Sequence, residues 1–197
     1  MKQLSLHARH STLSLVLIAA FAAPNAYAAT LTVDPTAIDE AVETDAKCSL
    51  REAVLSVNAG ADVGDCDADD VTQAYGTNDT IVLSAGTYNL ILTGLDESWT
   101  FVDPDYIVVN TPDATMGDLD IMQSVNIIGA GVDSAIIQWD PLVDEAVRDR
   151  IFHVYTTATA TVNVAIQGVT ITGGRTFEDY IADGLSLIHI SEPTRPY

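Results

Sequence analysis

Apolar residues recur along this chain in three successive rhythms. The first is continuous: Leu13 to Ala23 are apolar except for Ser14, with Pro24 directly behind them. The second has helical spacing. Leu50, Ala53, Val54 and Val57 stand at i, i+3, i+4 and i+7, which gathers them on one face of a short helix. The third is a series of short β-branched runs. They are Leu31-Thr32-Val33, Ile81-Val82-Leu83, Leu90-Ile91-Leu92, Ile107-Val108-Val109, Leu119-Asp120-Ile121 and Val125 to Ile128. Ala135-Ile136-Ile137, Ile151 to Val154, Val162 to Ile166 and Val169 to Ile171 continue the series. Gly, Asn and Asp punctuate the gaps, as at Ala85-Gly86, Gly129-Ala130-Gly131 and Gly173-Gly174. No amphipathic helix of useful length separates the strands after Thr80, which argues against an α/β crossover fold.

The helical segment carries its own boundary signals. Ser49 stands three positions before Glu52, the arrangement of a capping box. There the serine hydroxyl accepts from the Glu52 amide while the Glu52 carboxylate accepts from the Ser49 amide. Asn58 to Gly60 supplies the stop.

Both ends of the chain read as something other than folded domain. Lys2 and Arg9, the apolar run and the small-x-small triplet Ala26-Tyr27-Ala28 make a secretory signal peptide over 1–28. The run is short for a bilayer span, so a retained N-terminal anchor is the lesser alternative. The mature chain is expected to begin at Ala29, outside the cytoplasm. At the other end, Leu185 to Arg195 (LSLIHISEPTR) breaks the preceding pattern. It matches the conceptual translation of a transposase-type sequencing adapter, so 185–197 is expected to be a library artefact. The natural sequence is then expected to leave off near Gly184, with a C-terminal part missing.

Two segments of the strand-rich region echo each other. VNIIGAG at 125–131 and VAIQGVT at 164–170 share a β-branched pattern followed by Gly. Loose self-similarity of this kind suits a solenoid, while regularly spaced short strands suit a β-sandwich as well. The string Cys48-Ser49-Leu50-Arg51-Glu52-Ala53 favours the first. It resembles the CSLREA domain, a segment near the N-terminus of exported bacterial proteins that continue as right-handed parallel β-helices of pectate-lyase-like form. Ala85-Gly86-Thr87-Tyr88, Gly117 to Ile121 and Val125 to Gly131 are similar to later runs of that family, and the resemblance covers about 30–184.

The resemblance implies an all-β fold, a right-handed parallel β-helix (solenoid) with a short N-terminal capping α-helix. Residues 29–75 then form the cap with the CSLREA helix, and 76–184 the first coils. The open end of such a stack exposes strand edges and aliphatics that invite aggregation. A helix laying Leu50, Ala53, Val54 and Val57 over that end has a scaffold role.

Charge and cysteines narrow the setting. Between Ala29 and Gly184 five cations face 27 Asp and Glu, a formal charge of −22. That balance excludes nucleic acid and anionic membrane as partners, since phosphates need a positive surface. Cys48 and Cys66 are the only cysteines, and an even pair in an oxidising compartment reads as one disulfide.

Candidate chemistry is sparse. Asp62, Asp65, Asp67, Asp69 and Asp70 form the densest acidic cluster. Asp65-x-Asp67-x-Asp69 opens like an EF-hand loop, but Asp70 and Gly76 occupy the positions of its glycine and bidentate glutamate. A looser calcium site is the alternative to a solvated loop, and no other cofactor is expected. Asp118 and Asp120 flank Leu119 and share one strand face. They are expected to point outward and to pair with Arg148 and Arg150. The alternative is a carboxylate pair for glycoside hydrolysis. His153, in an apolar strand, is also expected outward, without a nucleophile to complete a triad. Trp99, Phe101 and Tyr106 lie in an irregular insertion between coils, from Gly94 to Pro112.

No catalytic, cofactor or metal residues are assigned. The residues given roles are Cys48 and Cys66 (disulfide) and Ser49 and Glu52 (helix cap). The expected function is a non-enzymatic extracellular or cell-surface protein, adhesin-like or structural. Its partner would be an extracellular glycan or surface protein, and the mature fragment has no membrane span. A polysaccharide lyase or glycoside hydrolase, with catalytic residues largely in the missing C-terminal part, is the competing reading.

Overall fold

The computed structural model describes residues 28–39, 42, 45–70, 72–94, 100–102, 107–109, 112–156, 161–175 and 185–187. The segment before Ala28, where a signal peptide is expected, Trp99, Tyr106 and the tail after Leu187 lie outside the described residues. Strand β1 (Thr30–Val33) leads to helix α1 (Leu50–Ala59), then to β2 (Asp79–Leu83), β3 (Gly86–Leu90), β4 (Thr100–Val102) and β5 (Ile107–Val109). After these come β6 (Leu119–Ile121), β7 (Val125–Gly129), β8 (Ala135–Trp139) and β9 (Phe152–Val154). β10 (Val164–Gln167), β11 (Thr170–Thr172) and β12 (Leu185–Leu187) complete the order. The protein is strand-dominated, with parallel sheets and one α-helix among the described residues.

The chain visits three sheets in turn. One has the order β1-β2-β7-β10, a second β3-β8-β11, and a third β6-β9-β12. β2, β3 and β6 enter these sheets in sequence, and β7, β8 and β9 enter them again in the same sequence. Every pairing among β1–β3 and β6–β11 is parallel, whereas β12 runs antiparallel to β9. The echo seen in the sequence is the observed register: Val125 pairs with Val164 and Ile127 with Ile166.

Strand alternation explains what is inside. Leu31, Val33, Ile81, Leu83, Val125 and Ile127 are buried at every second position. In the second sheet Tyr88 and Leu90 lie over Ile137 and Trp139, all four buried. Each such aliphatic contributes about 1.5–3 kcal/mol on leaving water.

Three expectations need correction. The strand anticipated at 90–92 lies at 86–90, because Tyr88 and Leu90 alternate inward while Ile91 is exposed. The insertion read as irregular holds an antiparallel ribbon, β4 with β5. Thirdly, α1 buries more than its aliphatic face. Arg51, Glu52 and Ser56 are buried with Leu50, Ala53, Val54 and Val57, because they find polar partners inside.

Gly129 and Gly168 let the turns after β7 and β10 lie against each other. A side chain on Gly129 would run into the Gly168 carbonyl oxygen, Val169 and Ala135. Gly168 adopts φ +66 and faces the Gly129 carbonyl in return. Gly129→Ala is expected to destabilise by about 1–3 kcal/mol through overpacking. An unchanged urea midpoint would mean that the two turns do not stack.

Candidate functional site

The polar residues of interest fall into three groups. The first surrounds α1. Ser49 has β-region backbone angles and completes the expected capping box. Its hydroxyl accepts from the Glu52 amide at 3.1 Å and its amide donates to Glu52 Oε2 at 3.0 Å. Glu52 also accepts from the Asp65 amide at 3.3 Å, and Gly64, at φ +62, lies against this carboxylate. Cys48 and Cys66 are joined by a disulfide with Cα atoms 4.4 Å apart, so the helix entrance is bonded to the loop that follows the helix. Closing a loop of this size contributes about 3 kcal/mol in the chain-entropy account.

Arg51 is the centre of this group, with 0% of its surface exposed. Its Nε donates to Asp39 Oδ1 at 2.7 Å and its Nη2 to Asp39 Oδ2 at 3.2 Å. The remaining guanidinium donors reach the carbonyls of Ala114 (2.8 Å), Gly117 (2.9 Å) and Asp118 (3.3 Å), just before β6. Asp39 Oδ2 also accepts from the Ile91 and Leu92 amides at 2.7 and 3.1 Å. Asn58, near the helix end, brackets β6: Nδ2 donates to Asp120 O at 2.7 Å and Oδ1 accepts from Met122 N at 2.9 Å. This amide does for the free edge of β6 what a neighbouring strand would do.

The second group crosses the third sheet. Arg150 Nε meets Asp118 Oδ2 at 2.6 Å, and His153 Nδ1 meets Asp120 Oδ1 at 2.8 Å. Asp118, Asp120 and His153 are buried, not outward as alternation predicts. Both faces of β6 and β9 are covered, so the alternate positions hold paired polar groups instead of solvated ones. Arg150 takes the expected aspartate partner. Arg148 does not. It follows a 3₁₀ turn, Glu145–Val147, off the strand register, and donates to the Val143 carbonyl at 3.0 and 2.7 Å. Two carboxylates with no exposed surface, each against a cation or imidazole, present nothing to a glycosidic bond.

The acidic cluster after α1 is the third group, and four of its five carboxylates accept a hydrogen bond. Asp62 accepts from the Tyr75 hydroxyl, Asp65 from the Ala46 amide and Asp69 from the Thr32 hydroxyl. Asp70 accepts from the Thr72 hydroxyl and amide, which lower its carboxyl below the usual value. Burial, with the Asp62 bond, pushes the Tyr75 phenol up. Among the described residues no three acidic, histidine or cysteine side chains converge as a metal ion would require.

Sequence reasoning assigned no partners to Arg51 and Asn58 and passed over Asp39. Their partners lie far off along the chain, and no short-range spacing announces them. No helix among the described residues is long and apolar enough to cross a membrane. A scan against protein-family models and searches of curated proteins and of solved structures find no match to this chain. Chemically, the first two groups hold strands and helix together, paired and buried, whereas the acidic cluster is mostly exposed.

Proposed function

We propose that the chain is the capped beginning of an exported, CSLREA-type right-handed parallel β-helix. It serves as a rigid, non-enzymatic extracellular or cell-surface scaffold, adhesin-like or structural, for an extracellular glycan or surface protein. The observation that carries this reading is the repeated passage of parallel strands through three sheets, with α1 docked on the β6 edge through Arg51 and Asn58. Parallel strands joined by crossover connections take the right-handed sense almost without exception. The Cys48–Cys66 bond fits an oxidising compartment.

Burial of Asp118 and Asp120 weighs against the lyase or glycosidase alternative for this part of the protein. To test the reading, the chain is expressed with residues 1–28 in a bacterial host and recovered from outside the cytoplasm. It is then incubated with polygalacturonate and other acidic glycans. The expected result is an exported, disulfide-bonded protein that releases neither reducing ends nor unsaturated uronates. Release of either product would establish the enzymatic alternative, and retention in the cytoplasm would end the export reading.

A further inference from the structure

The nitrogen of Ala29 donates to Asp79 Oδ1 at 2.8 Å, and both residues have 0% of their surface exposed. The Gly76 amide donates to the same carboxylate at 3.1 and 3.3 Å. The Ala29 carbonyl is held in turn by the Thr80 amide at 2.8 Å, beside the Thr30–Thr80 pair that begins the β1–β2 ladder. The ladder therefore places the Ala29 nitrogen, independently of what precedes it. Ala28, directly before it, is partly exposed. Among the described residues no lysine, arginine or histidine pairs with Asp79. Burial raises the Asp79 carboxyl by more than the Ala29 and Gly76 hydrogen bonds lower it. A buried carboxylate facing only neutral donors is a costly arrangement.

Ala29 is also where the Ala26-Tyr27-Ala28 triplet sets the new N-terminus. We propose that removal of the leader creates at Ala29 an α-ammonium group that becomes the buried counter-ion of Asp79, locking the mature fold with an ion pair the precursor lacks. This inference rests on the export reading given above. A signal peptidase adds water across the Ala28–Ala29 peptide bond. The hydroxyl goes to the Ala28 carbonyl carbon, which leaves as a carboxylate, and the Ala29 nitrogen takes up protons to become ammonium. The separation already present is that of a charge-assisted N–H to carboxylate bond. The other ammonium protons lie on the side where Ala28, itself partly exposed, was attached. An uncleaved chain keeps only the neutral amides of Ala29 and Gly76 against Asp79 and an uncompensated charge. Its folded state is weaker, which suits a polypeptide that crosses a membrane before folding.

The test begins with N-terminal sequencing of the exported protein, where Ala29 is expected. Urea unfolding is then compared for the mature chain with a free α-amine and with Ala29 acetylated, each in the parent and in Asp79→Asn. Acetylation is expected to raise the unfolding constant about tenfold or more in the parent, the loss of one charge-assisted bond. In Asp79→Asn it is expected to have little effect. A measurement that needs no variant is the rate at which the Ala29 amine reacts with an amine-selective reagent. That rate is expected to be at least about tenfold slower in the native state than in urea, because burial and pairing protect the nitrogen. Equal rates, equal stability of the free and acetylated forms, or an acetylation effect that persists without Asp79 would each overturn the proposal. An exported chain cleaved elsewhere overturns this inference alone, whereas a chain left uncleaved in the cytoplasm overturns the export reading with it.

Discussion

Arg51→Met is expected to lower the stability of this protein by about 3–5 kcal/mol, the cost of breaking a buried pair from one side. The substitution keeps the aliphatic stem but removes all of the guanidinium donors. Asp39 is left as a buried carboxylate supported, among the described residues, by the Ile91 and Leu92 amides alone, and the carbonyls of Ala114, Gly117 and Asp118 lose the Arg51 donors together. Arg51→Lys retains the charge but cannot serve a bidentate carboxylate and three carbonyls from one point, so it is expected to fall between parent and methionine variant. A double-mutant cycle with Asp39→Asn separates the pair from its surroundings. The double variant should lose clearly less than the sum of the two single losses, since removing one partner leaves the other charge stranded. Unfolding in urea, followed by circular dichroism, reads all four proteins. Additive losses would mean that Arg51 and Asp39 act separately, and a methionine variant as stable as the parent would remove α1's polar anchorage from the account.

The sequence was most legible where one face of a strand is buried and the other solvated. There the alternation in Leu31-Thr32-Val33, Ile81-Val82-Leu83 and Val125 to Ile128 fixes which side chains enter the core. The correspondence between 125–131 and 164–170 coincides with the observed pairing register, because paired strands place like side chains over like. The same logic failed on β6 and β9. Both faces of that sheet are covered, so Asp120 and His153 sit inside although alternation sends them out. The helix was legible through its capping box and aliphatic stripe, which are local signals. What it touches was not. Arg51 reads as a solvated cation on a short amphipathic helix until a loop more than sixty positions away is brought against it. Asp79 is similar. It opens a strand, and its partner nitrogen lies 50 positions earlier, at Ala29. Local physics announced the elements, and the long-range polar bonds that join them left no trace in spacing.

Leu50→Asp is the second substitution expected to act strongly, by several kcal/mol, because it places a charge where an aliphatic now lies with 5% of its surface exposed. Two effects compete. Leu50 is the first residue of α1, where a carboxylate gains about 2 kcal/mol at most from the helix dipole. Against this stand desolvation and the company it would keep, since Asp34, Asp39, Tyr88 and Leu90 line the same small hollow. Desolvation wins by its size, and the nearby aspartates add repulsion. Leu50→Asn is the control: it loses the same packing, about 2–5 kcal/mol, without the charge. The pH dependence of the gap between the two variants isolates the carboxylate. Burial raises the folded-state pKa of the introduced group above its unfolded value near about 3.9, so its ionisation weakens folding progressively as pH rises through that unfolded value. The two variants should therefore unfold alike near about pH 3 and diverge at neutral pH, with the aspartate form the weaker. Parallel curves across that range would place position 50 in solvent and detach α1 from the sheet end it is argued to close.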